Sequence, residues 1–345
     1  MSSITLRNGR LVGDFLTPYV VAELNTSHLG DMDLAKSMID QSEAAGCDCV
    51  KFQSWSAETL YCESYYKNNA IAKRIVKKFA LGEAQLKELS AHAAAKQIDF
   101  ASTPYSVQEA EFLVQECNVP FVKIASMELN NYRYLIRLGK LGVPLVLSTG
   151  MGSLEEIIDA VQTIEATGNH QIVILHCTSV YPADPQLIRL QNIVGLRSEF
   201  PGYPIGYSDH SLGIEIPVAS VALGACLIEK HFTLDSSRIG MDNQMATEPK
   251  EMQAMIRACQ RVHTAMGGAG RLLGEEEKSQ IPKMRRSIVT KQPLKAGHIL
   301  TEDDLDSKRP GTGITPTQFN AVIGKKLGQD VDKETVLTWQ AIDSH

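Results

Sequence analysis

A (β/α)8 barrel of the TIM type, followed by a small β-rich domain, is the fold this 345-residue sequence predicts. Three observations predict it. Eight short, β-rich apolar runs recur through the first two-thirds of the chain. Segments with helical apolar spacing lie between them. The runs end in polar residues, as barrel strands do on the face where barrel enzymes place their active sites.

In chain order the runs are VVAEL (20–24), CVKFQ (49–53), DFAST (99–103), FVKIAS (121–126), PLVLST (144–149), QIVILHC (171–177), PIGYSD (204–209) and CLIEKHF (226–232). Helical spacing marks MDLAKSMIDQSEAAG, LGEAQLKELSAHAAAK, SVQEAEFLVQEC and SLEEIIDAVQTIEATG between them. Continuous apolar runs alternating with amphipathic helices indicate parallel strands covered by helices, and eight is the number that closes a ring. An open doubly wound sheet is the structural alternative, disfavoured because no G-x-G-x-x-G follows the first run. Gly46, Gly142 and Gly168 stand where helices should stop.

Two insertions break the rhythm, from Ser54 to about Lys78 and from Asp235 to Lys250, both on the side where strands end. After a helix near Glu251–Met266, GGAGRLLGEEEKSQ reads as a solvated connection. The segments SIVTK and VLTWQAI and the turn LKAGHIL then predict a small β-rich module carrying the loop KRPGTGI (308–314). The expected division is a barrel at 1–275, a linker at 276–285 and the module at 286–345. A module so small has a thin core, so it is expected to lean on the barrel or on a partner subunit.

Composition narrows the function. With 43% hydrophobic and 21% charged residues the chain is globular, and its net charge of −6 disfavours nucleic acid and anionic membranes as partners. The longest nearly apolar run, Ile216–Ile228, is interrupted by Pro217, Ser220 and Gly224 and is too short to span a bilayer. No secretory signal is visible in MSSITLRNGRLVGDF, so the sequon at Asn25 is read as accidental. The seven cysteines are odd in number, scattered and without C-x-x-C, as expected of reduced thiols in the cytoplasm.

The strand ends supply the chemistry. They carry Glu23, Lys51 with Gln53, Ser102 with Thr103, Lys123 with Ser126, Ser148, His176, Ser208 with His210, and Lys230 with His231. Lys51, Lys123 and Lys230 offer positive charge, while Ser126, Ser148 and Ser208 offer hydroxyls, a set suited to a phosphate-like anion. Lys–Glu pairing across the barrel mouth is the plainer alternative. His210 and His231 end adjacent strands, so their rings can face one point above the barrel. Two neutral imidazoles with oxygen ligands suit Mn2+, Fe2+ or Zn2+ better than Mg2+, and an open metal position can polarise a carbonyl. Taken singly, each histidine is more often a hydrogen-bonded core residue. Glu23 and Glu128 are candidate acid–base groups, or simply partners for the lysines. Asp242, Trp55 and Tyr181 are weaker candidates, since loop acids are usually solvated and aromatics usually pack. No Walker loop and no G-x-S-x-G elbow occurs. The residues themselves lead to a metal-assisted barrel enzyme acting on a phosphorylated or acidic small molecule.

Longer motifs carry a resemblance. VAELNTSHLGDMDLAKSMIDQSEAAGCDCVKFQSW resembles the opening of the sialic acid synthase family, as do STPYSVQEAEFL, KIASMELNNYRYL, LSTGMGSLEEI, HCTSVYP, GYSDHS and EKHFTLD. The tail RRSIVTKQPLKAGHILTEDDLDSKRPGTGI is similar to the antifreeze-like (SAF) domain that ends those enzymes. The resemblance covers essentially the whole chain. It implies a condensation of phosphoenolpyruvate with the aldehyde of an open-chain N-acetylated aminosugar. The products are a nine-carbon 2-keto-3-deoxy sugar acid and phosphate, formed by C–O cleavage. It implies a divalent metal on His210 and His231, Mn2+ first, with Mg2+ or Co2+ as alternatives. Lys51, Lys123, Ser126, Ser148 and Ser208 would bind phosphoenolpyruvate, with Gln53 nearby and Glu23 close to the reacting atoms. Glu128, Tyr181 and Asp242 would face the sugar. In a homodimer that exchanges its SAF domains, Arg309 would reach the sugar from the other subunit.

The match departs from the family pattern in two places. Gly240-Met241-Asp242-Asn243 stands where the family reads like G-P-D-H, and HCTSVYP has Ser179 where some members have Asn. Both positions border the sugar, so acceptor identity stays open among N-acetylmannosamine, a diacetamido sugar, a phosphorylated acceptor and a sugar without the N-acetyl group. Two other readings stand beside this one: a related synthase using a shorter sugar phosphate, and a carbohydrate-binding scaffold without catalysis.

Overall fold

The period-two pleat of a strand sends alternate side chains to opposite faces, and that alternation organises this protein. The structure is a computed structural model and describes residues 1–268 and 270–342. An N-terminal hairpin, β1 (Ser3–Thr5) and β2 (Leu11–Gly13), comes first. The expected eight strands follow as β3 (Tyr19–Glu23), β4 (Cys49–Ser54), β5 (Asp99–Pro104), β6 (Val122–Ile124), β7 (Leu145–Ser148), β8 (Ile172–Cys177), β9 (Ile205–Asp209) and β10 (Leu227–His231). All their ladders are parallel, in the order β5-β4-β3-β10-β9-β8-β7-β6, so first and last barrel strands are neighbours. β5 and β6 touch without a hydrogen-bonded ladder, at the seam of the ring.

Outward-facing residues such as Val20, Ala22, Val50, Ile124, Leu147, Ile174 and Ile228 pack against the surrounding helices in one large core. The helix Leu154–Glu165 shows why it docks there. Ile157, Ala160, Val161 and Ile164 form one buried stripe, and a Ser153–Glu156 capping box closes its N-terminus. The helix Met32–Ala45 ends at Gly46, whose φ of 92° is costly for any side chain but glycine. Inward-facing residues split into two zones. Tyr19, Val21, Cys49, Ala101, Phe121, Val146, Val173, Leu175 and Leu227 fill the lower barrel, capped by Leu6 and Val12 of the hairpin. Above them the same inner face turns polar.

Both insertions carry local structure. The first folds into the helices Ala57–Leu60, Glu63–Asn68 and Ala70–Phe79 around a cluster of Trp55, Ala57, Tyr66 and Val76. The second contains one 3-10 turn, Asn243–Met245.

The chain divides into two compact units, Met1–Gly267 and Gly268–His345. The second has its own core of Ile288, Leu294, Leu300, Leu305, Ile314, Val322, Leu327, Val331, Leu337 and Ile342. Its strands are fewer than the sequence suggested. Among the described residues only β11 (Ser287–Thr290) and β12 (Leu305–Lys308) form a ladder, and isolated bridges such as Val289–Val336 and Leu294–Val331 do the rest. VLTWQAI does not run as one strand, because Trp339–Ala341 coils into a 3-10 turn. The expected linker is partly helical, at Glu275–Lys278 and Ile281–Met284. Ala269, in the expected barrel range, and residues 343–345 of the expected C-terminal domain lie outside the described residues. Among the described residues no helix is long and apolar enough to cross a membrane.

Candidate active site

The polar inner rim encloses a cavity of about 250 Å³ at the C-terminal ends of the strands. Eleven expected residues line it: Glu23, Lys51, Gln53, Lys123, Ser126, Ser148, Tyr181, Ser208, His210, His231 and Asp242. Strand pairing places the first contacts. Glu23 of β3 is in register with Lys51 of β4 on one side and with His231 of β10 on the other.

Two buried ammonium groups dominate the floor. Lys51 Nζ donates to Thr103 Oγ1 at 3.0 Å and pairs with the Glu23 carboxylate. Lys123 Nζ donates to Ser148 Oγ at 2.6 Å and to the Ile124 carbonyl at 3.1 Å. Between them stands Glu229, with Oε2 3.6 Å from Lys51 Nζ and Oε1 4.0 Å from Lys123 Nζ. Ser208 Oγ donates to Glu229 Oε1 at 2.9 Å. The plainer expectation of Lys–Glu pairing across the mouth is therefore met, in the same cavity as the hydroxyls suited to an anion.

The environments push these groups apart. Burial raises the Glu23 pKa, against the opposing pull of Lys51 and with a further push from Glu229. Burial works the same way on Glu229, but Lys123 and Lys51 overcome it and hold that carboxyl below the usual range. Burial lowers Lys123, while Lys51, flanked by two carboxylates, ends above its ordinary value despite burial. Carboxylates separated in this way are a pattern of acid–base sites.

The two imidazoles face each other with ring centroids 5.3 Å apart and planes at 63°. His210 Nδ1 donates to the Thr178 carbonyl at 2.8 Å, which leaves Nε2 as the lone-pair nitrogen. Burial, followed by the neighbouring positive groups His210, Lys51 and Lys230, holds His231 well below its usual pKa, so it is neutral. Tyr181 lies on His210 at 4.2 Å between centroids, and Asn25 Nδ2 donates to Asp242 Oδ2 at 2.8 Å. Gln53 Nε2 donates to Glu23 Oε1 at 2.9 Å and Tyr105 Oη to Gln53 Oε1 at 3.3 Å. Ser126 Oγ accepts the Gly150 N–H at 2.9 Å. The donor set fits a divalent cation. Two imidazoles converge, and since no three His, Cys, Asp or Glu groups are placed to hold a metal ion among the described residues, water or substrate oxygens would complete the shell.

Two expectations are placed elsewhere. Glu128 is buried in a 3-10 turn, where Oε2 accepts from Asn131 Nδ2 at 2.7 Å, and it does not line the cavity. Lys230 points away from the cavity and bonds Asp209 at 2.5 Å, because residue 230 has the opposite pleat parity to Glu229 and His231. Arg309 belongs to the second unit and is exposed there. Sequence reasoning missed Glu229, Tyr105 and Cys177, all of which line the cavity. Counting back two from His231 would have found Glu229.

Comparison with known proteins agrees with the geometry. The NeuB family model matches residues 38–271 and the SAF domain model residues 285–343. The N,N'-diacetyllegionaminic acid synthase of Legionella pneumophila is 35% identical over 345 residues, covering 96% of each chain. The human N-acetylneuraminate-9-phosphate synthase is 33% identical, covering 98% of this chain and 96% of the relative. The crystal structure of N-acetylneuraminic acid (sialic acid) synthetase from Leptospira borgpetersenii superposes with a TM-score of 0.74 at 33% identity, over 81% of this chain and 95% of that one. With a polar-rimmed eight-strand barrel, the expected motifs and a SAF domain behind them, the chain belongs to the NeuB family of sialic, legionaminic and pseudaminic acid synthases.

Proposed function

We propose that this protein is a transferase that condenses phosphoenolpyruvate with an open-chain N-acetylated aminosugar resembling N-acetylmannosamine. The products are a nine-carbon 2-keto-3-deoxy sugar acid and inorganic phosphate. One observation carries the reading: two buried ammonium groups and a set of serine hydroxyls share a cavity of about 250 Å³ with a pair of facing imidazoles. The activities named for the relatives support the same reading.

Lys51 and Lys123, with Ser126, Ser148 and Ser208, hold the phosphate and carboxylate of phosphoenolpyruvate by charge-assisted hydrogen bonds. Gln53 orients Glu23. His210 and His231 would hold the divalent cation, Mn2+ in the first instance, and a cation there supplies Lewis-acid polarisation of a carbonyl oxygen. C3 of phosphoenolpyruvate forms the new bond to the aldehyde carbon, and the aldehyde oxygen becomes a hydroxyl with a proton from Glu23. Water adds to the electron-poor C2 and gives a proton to Glu229. Breaking the bond from C2 to the bridging oxygen, which takes up the proton held by Glu229, then releases phosphate and leaves the 2-keto group, the remaining hydroxyl proton returning to Glu23. Tyr181 and Asp242 face the sugar. Arg309 reaches it from the partner in a homodimer that exchanges SAF domains. The seven cysteines are all free, and a cytoplasmic location suits them.

The test is phosphate release from Mn2+-loaded enzyme with a panel of acceptors, and mass spectrometry of the products. The panel contains N-acetylmannosamine, its 6-phosphate, a 2,4-diacetamido hexose, arabinose 5-phosphate and erythrose 4-phosphate. Turnover with an N-acetylated hexose is expected. No consumption of phosphoenolpyruvate with any acceptor would end the proposal, and turnover confined to the short sugar phosphates would replace it.

A further inference from the structure

The residue before each imidazole is charged and points away from the cavity. Asp209 precedes His210 and Lys230 precedes His231, and the two are partners in the register of β9 and β10. Their side chains are 0% and 1% exposed, with Lys230 Nζ 2.5 Å from Asp209 Oδ2. The same ammonium donates to the Ser211 carbonyl at 2.9 Å. The other carboxylate oxygen, Asp209 Oδ1, accepts from the Ser211 N–H at 3.1 Å, from Ser211 Oγ at 2.8 Å and from the Tyr207 hydroxyl at 2.8 Å. Lys230 thus grips the chain on both sides of His210, by the side chain of residue 209 and the carbonyl of residue 211. One position further along its own strand stands His231.

Burying an ion pair on the helix-facing side of a barrel is costly, and such a pair is weak grounds for stability. What this one supplies is geometry. The His210 ring has a second restraint, the bond from Nδ1 to Thr178. No hydrogen bond to the His231 ring occurs among the described residues, so its position depends on the backbone that Lys230 anchors. We propose that Asp209 and Lys230 are positioning residues, a clasp between two strands that sets the spacing of His210 and His231 and thereby the affinity for a divalent cation. The proposal rests on reading those histidines as cation ligands.

The variant Asp209→Asn with Lys230→Met removes both charges and leaves neither buried alone. Mn2+ affinity is read from the free-ion electron paramagnetic resonance signal, phosphoenolpyruvate affinity by calorimetry on metal-free protein, and folding by a thermal melt. Mn2+ binding should weaken about 10- to 100-fold, the usual loss when an outer partner of a metal ligand is removed. Phosphoenolpyruvate, anchored at Lys51 and Lys123, should bind metal-free variant and metal-free wild type alike. Unchanged Mn2+ affinity, or equal weakening of both ligands, overturns the clasp. If the double variant does not fold, Asp209→Asn alone is measured, with the same split expected at smaller size and an even loss overturning it. A wild-type protein that binds no Mn2+ removes the histidine reading first and the clasp with it.

Discussion

Glu229 Oε2 lies 3.6 Å from Lys51 Nζ, so one buried ammonium is shared between Glu229 and Glu23. The sharing separates the two carboxyls. Glu229 is held ionised by Lys51 and Lys123 together, while Glu23 is raised by burial. Glu229→Gln keeps the shape and the bond from Ser208 but takes the counter-charge from Lys123 and leaves Lys51 with Glu23 alone. Its kcat should fall by about 10²–10⁴, the range for a positioned acid–base group, with a smaller change in KM for phosphoenolpyruvate. Steady-state kinetics reads the split; a raised KM with intact kcat would leave Glu229 as a partner of the lysines only.

Lys123 lies on the other side of Glu229, with Nζ 4.0 Å from Oε1, and is proposed to bind phosphoenolpyruvate. Lys123→Met removes a charge-assisted bond worth about 1.5–3 kcal/mol, and KM for phosphoenolpyruvate should rise roughly 10- to 100-fold. The acceptor KM should change little. Equal effects on both substrates would show a general disturbance of the barrel mouth.

Chelation tests the imidazoles. Enzyme treated with EDTA should lose turnover and regain it with Mn2+, and Mg2+ and Co2+ should be compared in the same assay. His210→Ala should not be rescued by the Mn2+ concentration that restores wild type. Undiminished turnover in chelator would strike His210 and His231 from the ligand list.

Arg309 is expected to act on the sugar rather than on phosphoenolpyruvate. Arg309→Ala should therefore raise KM or lower kcat for the acceptor more than for phosphoenolpyruvate. Mixing it with a barrel-site variant such as Lys123→Met should regenerate some activity if the residue is supplied across a dimer. Absence of complementation in mixed dimers would count against that exchange.

Asp304 gives a pH prediction for the second unit. Burial alone would raise its carboxyl, but His298 at 2.9 Å, Thr301 and Gln292 donate to it and hold it far below the ordinary range. A depressed folded pKa means that the unfolded chain takes up the proton first. The stabilisation is complete above the unfolded value of about 3.9 and is lost as pH falls toward the folded value. With Trp55→Phe in the full-length protein, Trp339 is the one remaining tryptophan of two and reports this unit. Its melting temperature should drop on acidification below about pH 4, and Asp304→Asn should start lower and lose that dependence.

Sequence alone determined the number and order of the barrel strands, their polar ends, the two insertions and the C-terminal module. These are legible because apolar periodicity and turn residues act over a few neighbouring positions. It also placed most of the cavity lining, since barrel strands end at one rim. Only the tertiary structure decided which charge turns inward. In EKH the neighbouring positions face opposite ways, and cross-strand pairing sends Glu229 and His231 into the cavity and Lys230 out to Asp209. It also decided that Glu23, Lys51 and Glu229 meet, because β10 closes against β3 and brings together residues more than 200 positions apart. Glu128, local in sequence to Lys123 and Ser126, was turned into a 3-10 helix instead of the cavity wall. Pleat direction and ring closure are properties of the whole sheet, and a single strand read by itself contains neither.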